Sequence, residues 1–211
     1  DQVEYLDVVN NTENPELGSI KASEFLAIAE QTGLIYKLGQ CSIDSSLKFL
    51  SKLNAINNEL KLSINFSALE LKFGNTPGAL ADLISRYGIN PKNVIVDIPE
   101  ECLISSFETV KPAIGYISSL GVTMNLDNFG RGYSSLNSIP LLPISAIKID
   151  GYFTKGISED KSAQVITSSI IDIMHETDIC VCATGVGSEE QYEMLLKYGC
   201  DYFQGHILGD P

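Results

Sequence analysis

No run of apolar residues approaches the roughly 20 needed to cross a bilayer. The chain opens on Asp1-Gln2 rather than on a basic and then apolar segment, so no secretory leader is expected in it. Positive charge is scarce: 14 Lys and Arg stand against 27 Asp and Glu, a net charge of −13. Nucleic acid and anionic lipid both require a basic face that releases counterions, so neither is expected as a partner. Histidine is limited to His175 and His206, and neither lies in a metal-binding helix motif. The five cysteines form no Cys-x-x-Cys pair, which argues against a metal-thiolate site. Cys180 and Cys182 share one side of an alternating strand and read as core residues of a protein from a reducing, cytoplasmic compartment. An initiator Met is also missing, as expected of a fragment of a larger protein, one with a membrane anchor elsewhere included.

What is present is a packed globular composition. The 211 residues are 44% hydrophobic with little low complexity, which predicts a single domain over 1–211. Alternation predicts strands at Val3–Val9, Leu60–Asn65, Val94–Ile98, Val122–Asp127, around Ile147 and Ile149, at Ile179–Thr184 and at Tyr202–Gln204. Helical spacing predicts helices at Ser23–Thr32, Lys37–Asn54, Pro77–Tyr87, Phe107–Leu120, Ser162–His175 and Ser188–Tyr198, with a turn-rich segment at Asn10–Gly18. Strands separated by helices argue an α/β fold with a parallel sheet. A TIM-like (β/α)8 barrel is expected, its first strand lying before residue 1.

The polar residues favour a barrel over an open sheet. Asn65, Asp127, Asn128, Lys148 with Asp150, Thr184 and Gln204 stand at or near strand C-termini, and Glu4 and Asp97 lie on strands nearby. A barrel gathers those ends on one face, where such folds place their chemistry. The stretch Asn125 to Leu136 is central: a strand ends on a carboxylate, Gly130 and Gly132 free the backbone, and Ser134 or Ser135 can cap the next turn of chain. On this strand pair alone, a core strand, a solvated turn and an ordinary salt bridge would be the favoured explanation.

Asp127 to Leu136 resembles the Asp-Asp-Phe-Gly-Thr-Gly-Tyr-Ser-Ser-Leu loop of the EAL family of cyclic di-GMP phosphodiesterases. Leu142-Pro143 through Lys148-Ile149-Asp150, Ile64-Asn65-Phe66-Ser67-Ala68, Pro15-Glu16-Leu17-Gly18, Ala29 to Leu34 and Gln204-Gly205 are similar to further pieces of that family, and Glu4-Tyr5-Leu6 stands for the signature Glu-Ala-Leu. The resemblance implies a barrel that hydrolyses cyclic di-GMP with two Mg2+ or Mn2+ ions, which stabilise the attacking and leaving oxygens. It implies Glu4, Asn65, Asp97 and Asp127 as metal ligands, Lys148 at the attacking water, Glu100 as the brace of the central loop, and Gln204 with Asn65 on the ligand. It also implies neighbouring signalling domains and a homodimer through Phe129, Tyr133 and Ser134–Leu141.

Departures cluster where the metals would be. Asp97 is one methylene shorter than the family's glutamate, Asn128 replaces the loop's second aspartate, and Thr184 replaces another glutamate. Val8 stands for a phosphate-binding arginine, and Arg131 for a small threonine. Mg2+ demands near-octahedral oxygens, so at most one weak Mg2+ or Mn2+ site is expected and no firmly held cofactor. Three readings compete: a catalytically impaired EAL domain acting as a regulatory, protein-interaction module; a metal-independent cyclic di-GMP receptor in which Arg131 neutralises phosphate; or a slow metal-dependent phosphodiesterase.

Overall fold

The computed structural model describes residues 3–209 apart from 11, 15–17, 21, 106 and 133–135. In chain order, β1 is Tyr5–Asp7, β2 Thr12–Asn14 and β3 Gly18–Ile20, followed by α1 at Ala22–Thr32 and α2 at Ile35–Asn54. Next come β4 at Lys61–Asn65, α3 at Ala68–Phe73, α4 at Thr76–Tyr87, β5 at Val94–Pro99, α5 at Glu101–Ser105 and α6 at Phe107–Ser119. The remainder is β6 at Thr123–Phe129, β7 at Ala146–Ile149, α7 at Gly151–Gly156, α8 at Lys161–His175, β8 at Cys180–Ala183, α9 at Glu189–Lys197 and β9 at Tyr202–Phe203.

The chain divides into two compact units, with the breaks falling inside β5 and β6. The first (1–97 and 106–123) carries β1, β4 and most of β5, each parallel to the next. The second (98–105 and 124–211) carries most of β6 with β7, β8 and β9, again parallel in succession. Parallel strands covered by crossover helices are buried on both faces and become apolar throughout. Val94, Ile95, Val96 and Ile98 of β5, and Ala146, Ile147 and Ile149 of β7, are buried accordingly. This is the α/β, TIM-like barrel class expected from the sequence.

The predicted helices and the seven predicted parallel strands are present, with ends shifted by one or two residues. Within the predicted turn-rich stretch, Thr12–Asn14 forms β2, which pairs antiparallel with β3 at Gly18–Ile20. Helices α3, α5 and α7 were not anticipated. Gly88, at φ +63°, closes α4 in the left-handed conformation and donates its N–H to Ile84 and Ser85 carbonyls.

Directly after Asn65, Ser67 caps α3 with a capping box: Ser67 Oγ accepts from Glu70 N at 3.2 Å, and Glu70 Oε2 accepts from Ser67 N at 2.9 Å. Glu70 is buried, and its Oε1 has no hydrogen-bond partner among the described residues. Burial, and more weakly the Glu30 carboxylate, raise its pKa above the ordinary 4.5 against the Ser67 hydrogen bonds. The folded protein therefore holds this proton more tightly than the unfolded chain. The resulting stability is full below about pH 4.5, falls as pH rises toward the raised value, and is level above it. Glu70→Gln keeps the acceptor for Ser67 and removes the buried charge. Thermal melts followed by circular dichroism should place the variant above the parent at pH 8, with the gap closing toward pH 4.

Candidate functional site

In the first unit, register decides which side chains are neighbours. Tyr5 pairs with Lys61, Asp7 with Ser63, and Asn65 with Asp97. Paired residues on parallel strands project to the same face. Asp97 and Ser63 are fully buried, and Ser63 Oγ donates to Asp97 Oδ2 at 2.6 Å. Asn65, at the end of β4, turns its amide Nδ2 to the carbonyl of Val8 at 3.2 Å.

Glu4 does not join them. It precedes β1, at the N-terminal end of the strand, and forms a salt bridge with Lys61. Lys61 and Asn65 are four residues apart, roughly 13 Å at about 3.3 Å per residue, so Glu4 lies at the wrong end of the strand pair. The acid at the C-terminal end of β1 is Asp7. Around β1 an acid followed by two apolar or aromatic residues stands at Glu4-Tyr5-Leu6 and again at Asp7-Val8-Val9, and the tripeptide likeness selected the first. The signal that would have found Asp7 is parity with Ser63 and Asn65. The shift of three residues also moves the expected arginine position from Val8 to Asn11, which is outside the described residues; neither is an arginine.

In the second unit the central loop is anchored by Glu100. Its buried carboxylate accepts from Gly130 N at 3.1 Å and Gly132 N at 2.8 Å, both through Oε2, and Glu100 N donates to the Asp127 carbonyl at 3.0 Å. Strand β6 continues to Phe129, two residues beyond the expected end. Asn128 has φ 57°, a left-handed conformation that Asn tolerates better than most residues, and its Nδ2 donates to Asp127 Oδ2 at 2.7 Å. A carboxylate only accepts, so the amide nitrogen is what faces it. At Gly130, φ +96°, a Cβ would stand 2.4 Å from the Phe153 ring.

Lys148 is buried on β7 in register with Cys182 of β8. Thr184, just past β8, donates its hydroxyl to the Ile149 carbonyl at 2.8 Å. Gln204, just past β9, exchanges backbone hydrogen bonds with Ala183 and Val186. Gly205 beside it has no room for a side chain, since a Cβ would lie 2.1 Å from the Val186 oxygen. Arg131 is exposed, but its Nε is bound to Asp150 Oδ2 at 2.6 Å and is not an unengaged cation.

Several other expectations are settled by placement. His175 is exposed and bonded to Asp201, with Nε2 2.8 Å from Oδ2. Cys182 is core and Cys180 half-buried. Burial pushes the Cys102 and Cys200 thiols up to about 12, away from thiolate chemistry. Phe129, a candidate for a dimer contact, is buried, while Leu141 is exposed. Tyr133, Ser134 and Ser135, with the expected cap, lie outside the described residues. Among the described residues no group of three or more His, Cys, Asp or Glu side chains is placed to hold a metal ion.

A family model described as the EAL domain matches residues 1–211. The chain belongs to the EAL domain family. It is 30% identical over 200 residues to the bifunctional diguanylate cyclase/cyclic di-GMP phosphodiesterase MucR of Pseudomonas aeruginosa, covering 94% of this chain and 29% of that protein. It is also 30% identical over 210 residues to the cyclic di-GMP phosphodiesterase PdeR of Escherichia coli, covering 100% of this chain and 32% of that protein. The EAL domain thus spans about a third of the length of these relatives. Among solved structures, the c-di-GMP complex of the PaMucR phosphodiesterase superposes with a TM-score of 0.93 at 29% identity, covering 97% of this chain and 83% of that one. The FimX EAL domain matches with a TM-score of 0.91 at 24% identity, over 100% and 85% of the two chains, a likeness of fold.

Glu100 gives this site its most direct test. Glu100→Ala removes a buried acceptor shared by two amides, and should cost about 1–3 kcal/mol. Urea denaturation should show the lowered midpoint, and amide exchange at Gly130 and Gly132 should accelerate more than exchange in β7.

Proposed function

We propose that this EAL domain has lost effective cyclic di-GMP hydrolysis and works as a regulatory, protein-interaction module inside a larger signalling protein. The observation that carries the reading is Asn128. Where the family has a second loop aspartate, this chain has an amide that donates to Asp127 and occupies one of its oxygens. A pair of hard cations needs several anionic oxygens, and each lost carboxylate removes both charge and a ligand.

The donor set does not fit two Mg2+ or Mn2+ ions. Asp7 and Asp97 supply short carboxylates, Asp97 already accepts from Ser63, and Asn65 supplies a neutral oxygen. Thr184 supplies only a neutral hydroxyl, whose proton goes to the Ile149 carbonyl. Lys148 and Glu100 are retained, but neither can replace a cation that lowers the pKa of water from about 16 to about 7. Retention of a lysine and a loop brace without the ligands fits a scaffold kept for shape.

The receptor reading loses its main support, because the guanidinium offered to a phosphate is bound to Asp150. Similarity to a protein solved with c-di-GMP keeps the nucleotide as the ligand to try first. The greater length of the relatives supports other domains of the same polypeptide as partners.

Incubation with cyclic di-GMP and Mn2+, followed by chromatography, should yield no linear dinucleotide above the buffer control. Asn128→Asp with Thr184→Glu should raise Mn2+ affinity by at least tenfold in calorimetry. Steady turnover by the parent protein would overturn the proposal. Heat on adding cyclic di-GMP without Mn2+ would replace it with the receptor.

A further inference from the structure

Asp150 joins three pieces of the second unit. Its N–H donates to the Phe129 carbonyl at 3.1 Å, tying it to the end of β6. Its Oδ1 accepts from Tyr152 N at 2.8 Å, capping α7. Its Oδ2 binds Arg131 Nε at 2.6 Å. The carboxylate is 5% exposed and the arginine 70%, so one partner is fixed in the fold and the other reaches in from the loop.

Arg131 sits between Gly130 and Gly132, whose amides both end on Glu100. Phe153 of α7 packs so closely against Gly130 that no side chain fits there. The loop is therefore held to Glu100 on one side and to the start of α7 on the other. A charge-assisted bond to a carboxylate that burial has immobilised holds more firmly than a pair of mobile surface charges.

We infer that Arg131 is a positioning residue that locks the Asp127–Gly132 loop to α7 through Asp150, so that the loop keeps one conformation whether or not a cation or nucleotide is present. The lock concerns loop order alone, and turnover or its absence does not bear on it.

The test is amide hydrogen exchange on the full chain, read at Gly130 and Gly132, with β7 (Ala146–Ile149) as internal reference. In the parent protein, Mn2+ or cyclic di-GMP should change loop exchange by less than about twofold. Arg131→Thr should accelerate it roughly tenfold while β7 is unchanged, and Arg131→Lys should restore part of the protection. Raising NaCl from about 0.05 to 0.5 M should accelerate loop exchange in the parent and not in Arg131→Thr. In an Asp150→Asn background, where the cap acceptor remains but the charge is gone, Arg131→Thr should add little. Loop exchange in Arg131→Thr equal to the parent, equal acceleration in β7, or a full tenfold effect in the Asp150→Asn background would each overturn the lock.

Discussion

Strand register is the constraint on which the rest depends. Side chains on a strand alternate between faces with period two, and parallel neighbours are matched residue to residue, so a carboxylate reaches a shared face only from a position of the right parity and height. Asp7 meets that condition beside Ser63, and Glu4 does not. The chemistry available to the first unit is therefore set by backbone pairing before any question of ligand arises.

A second theme is internal satisfaction of polar groups near the strand ends. Asn128 donates to Asp127, Ser63 to Asp97, and Thr184 to a strand carbonyl. Adjacent carboxylates at close range raise one another's pKa unless something positive sits between them. Beside Asp127 the neighbour is an amide, which donates to the carboxylate rather than repelling it. Glu100 does comparable service for backbone donors, ending two loop amides on one buried oxygen.

Much of this was legible in the sequence. Long helices such as α2 and α8 announce themselves by periodicity, and the parallel strands by apolar runs that end on polar residues. Glu100 and the loop from Asp127 were found by likeness to a family pattern. What was not legible has physical reasons. Helices α3, α5 and α7 are too short to show a period of 3.6 residues, and β2 and β3 are three residues each within turn-forming sequence. A tripeptide carries no register, so the likeness at Glu4-Tyr5-Leu6 could not show that Glu4 stands at the N-terminal end of β1 and Asp7 at the other. The bonds of Asp150 to Phe129 and Arg131 join residues brought close only by folding.

The left-handed backbone at Asn128 carries one consequence beyond its hydrogen bond. A φ of 57° disfavours β-branched and bulky side chains, leaving glycine and short polar residues as the comfortable occupants. Gly, Asn and Asp are therefore the residues that this backbone accepts with least strain. The main chain thereby limits the choice of residue at this position independently of the hydrogen bond that Asn128 makes.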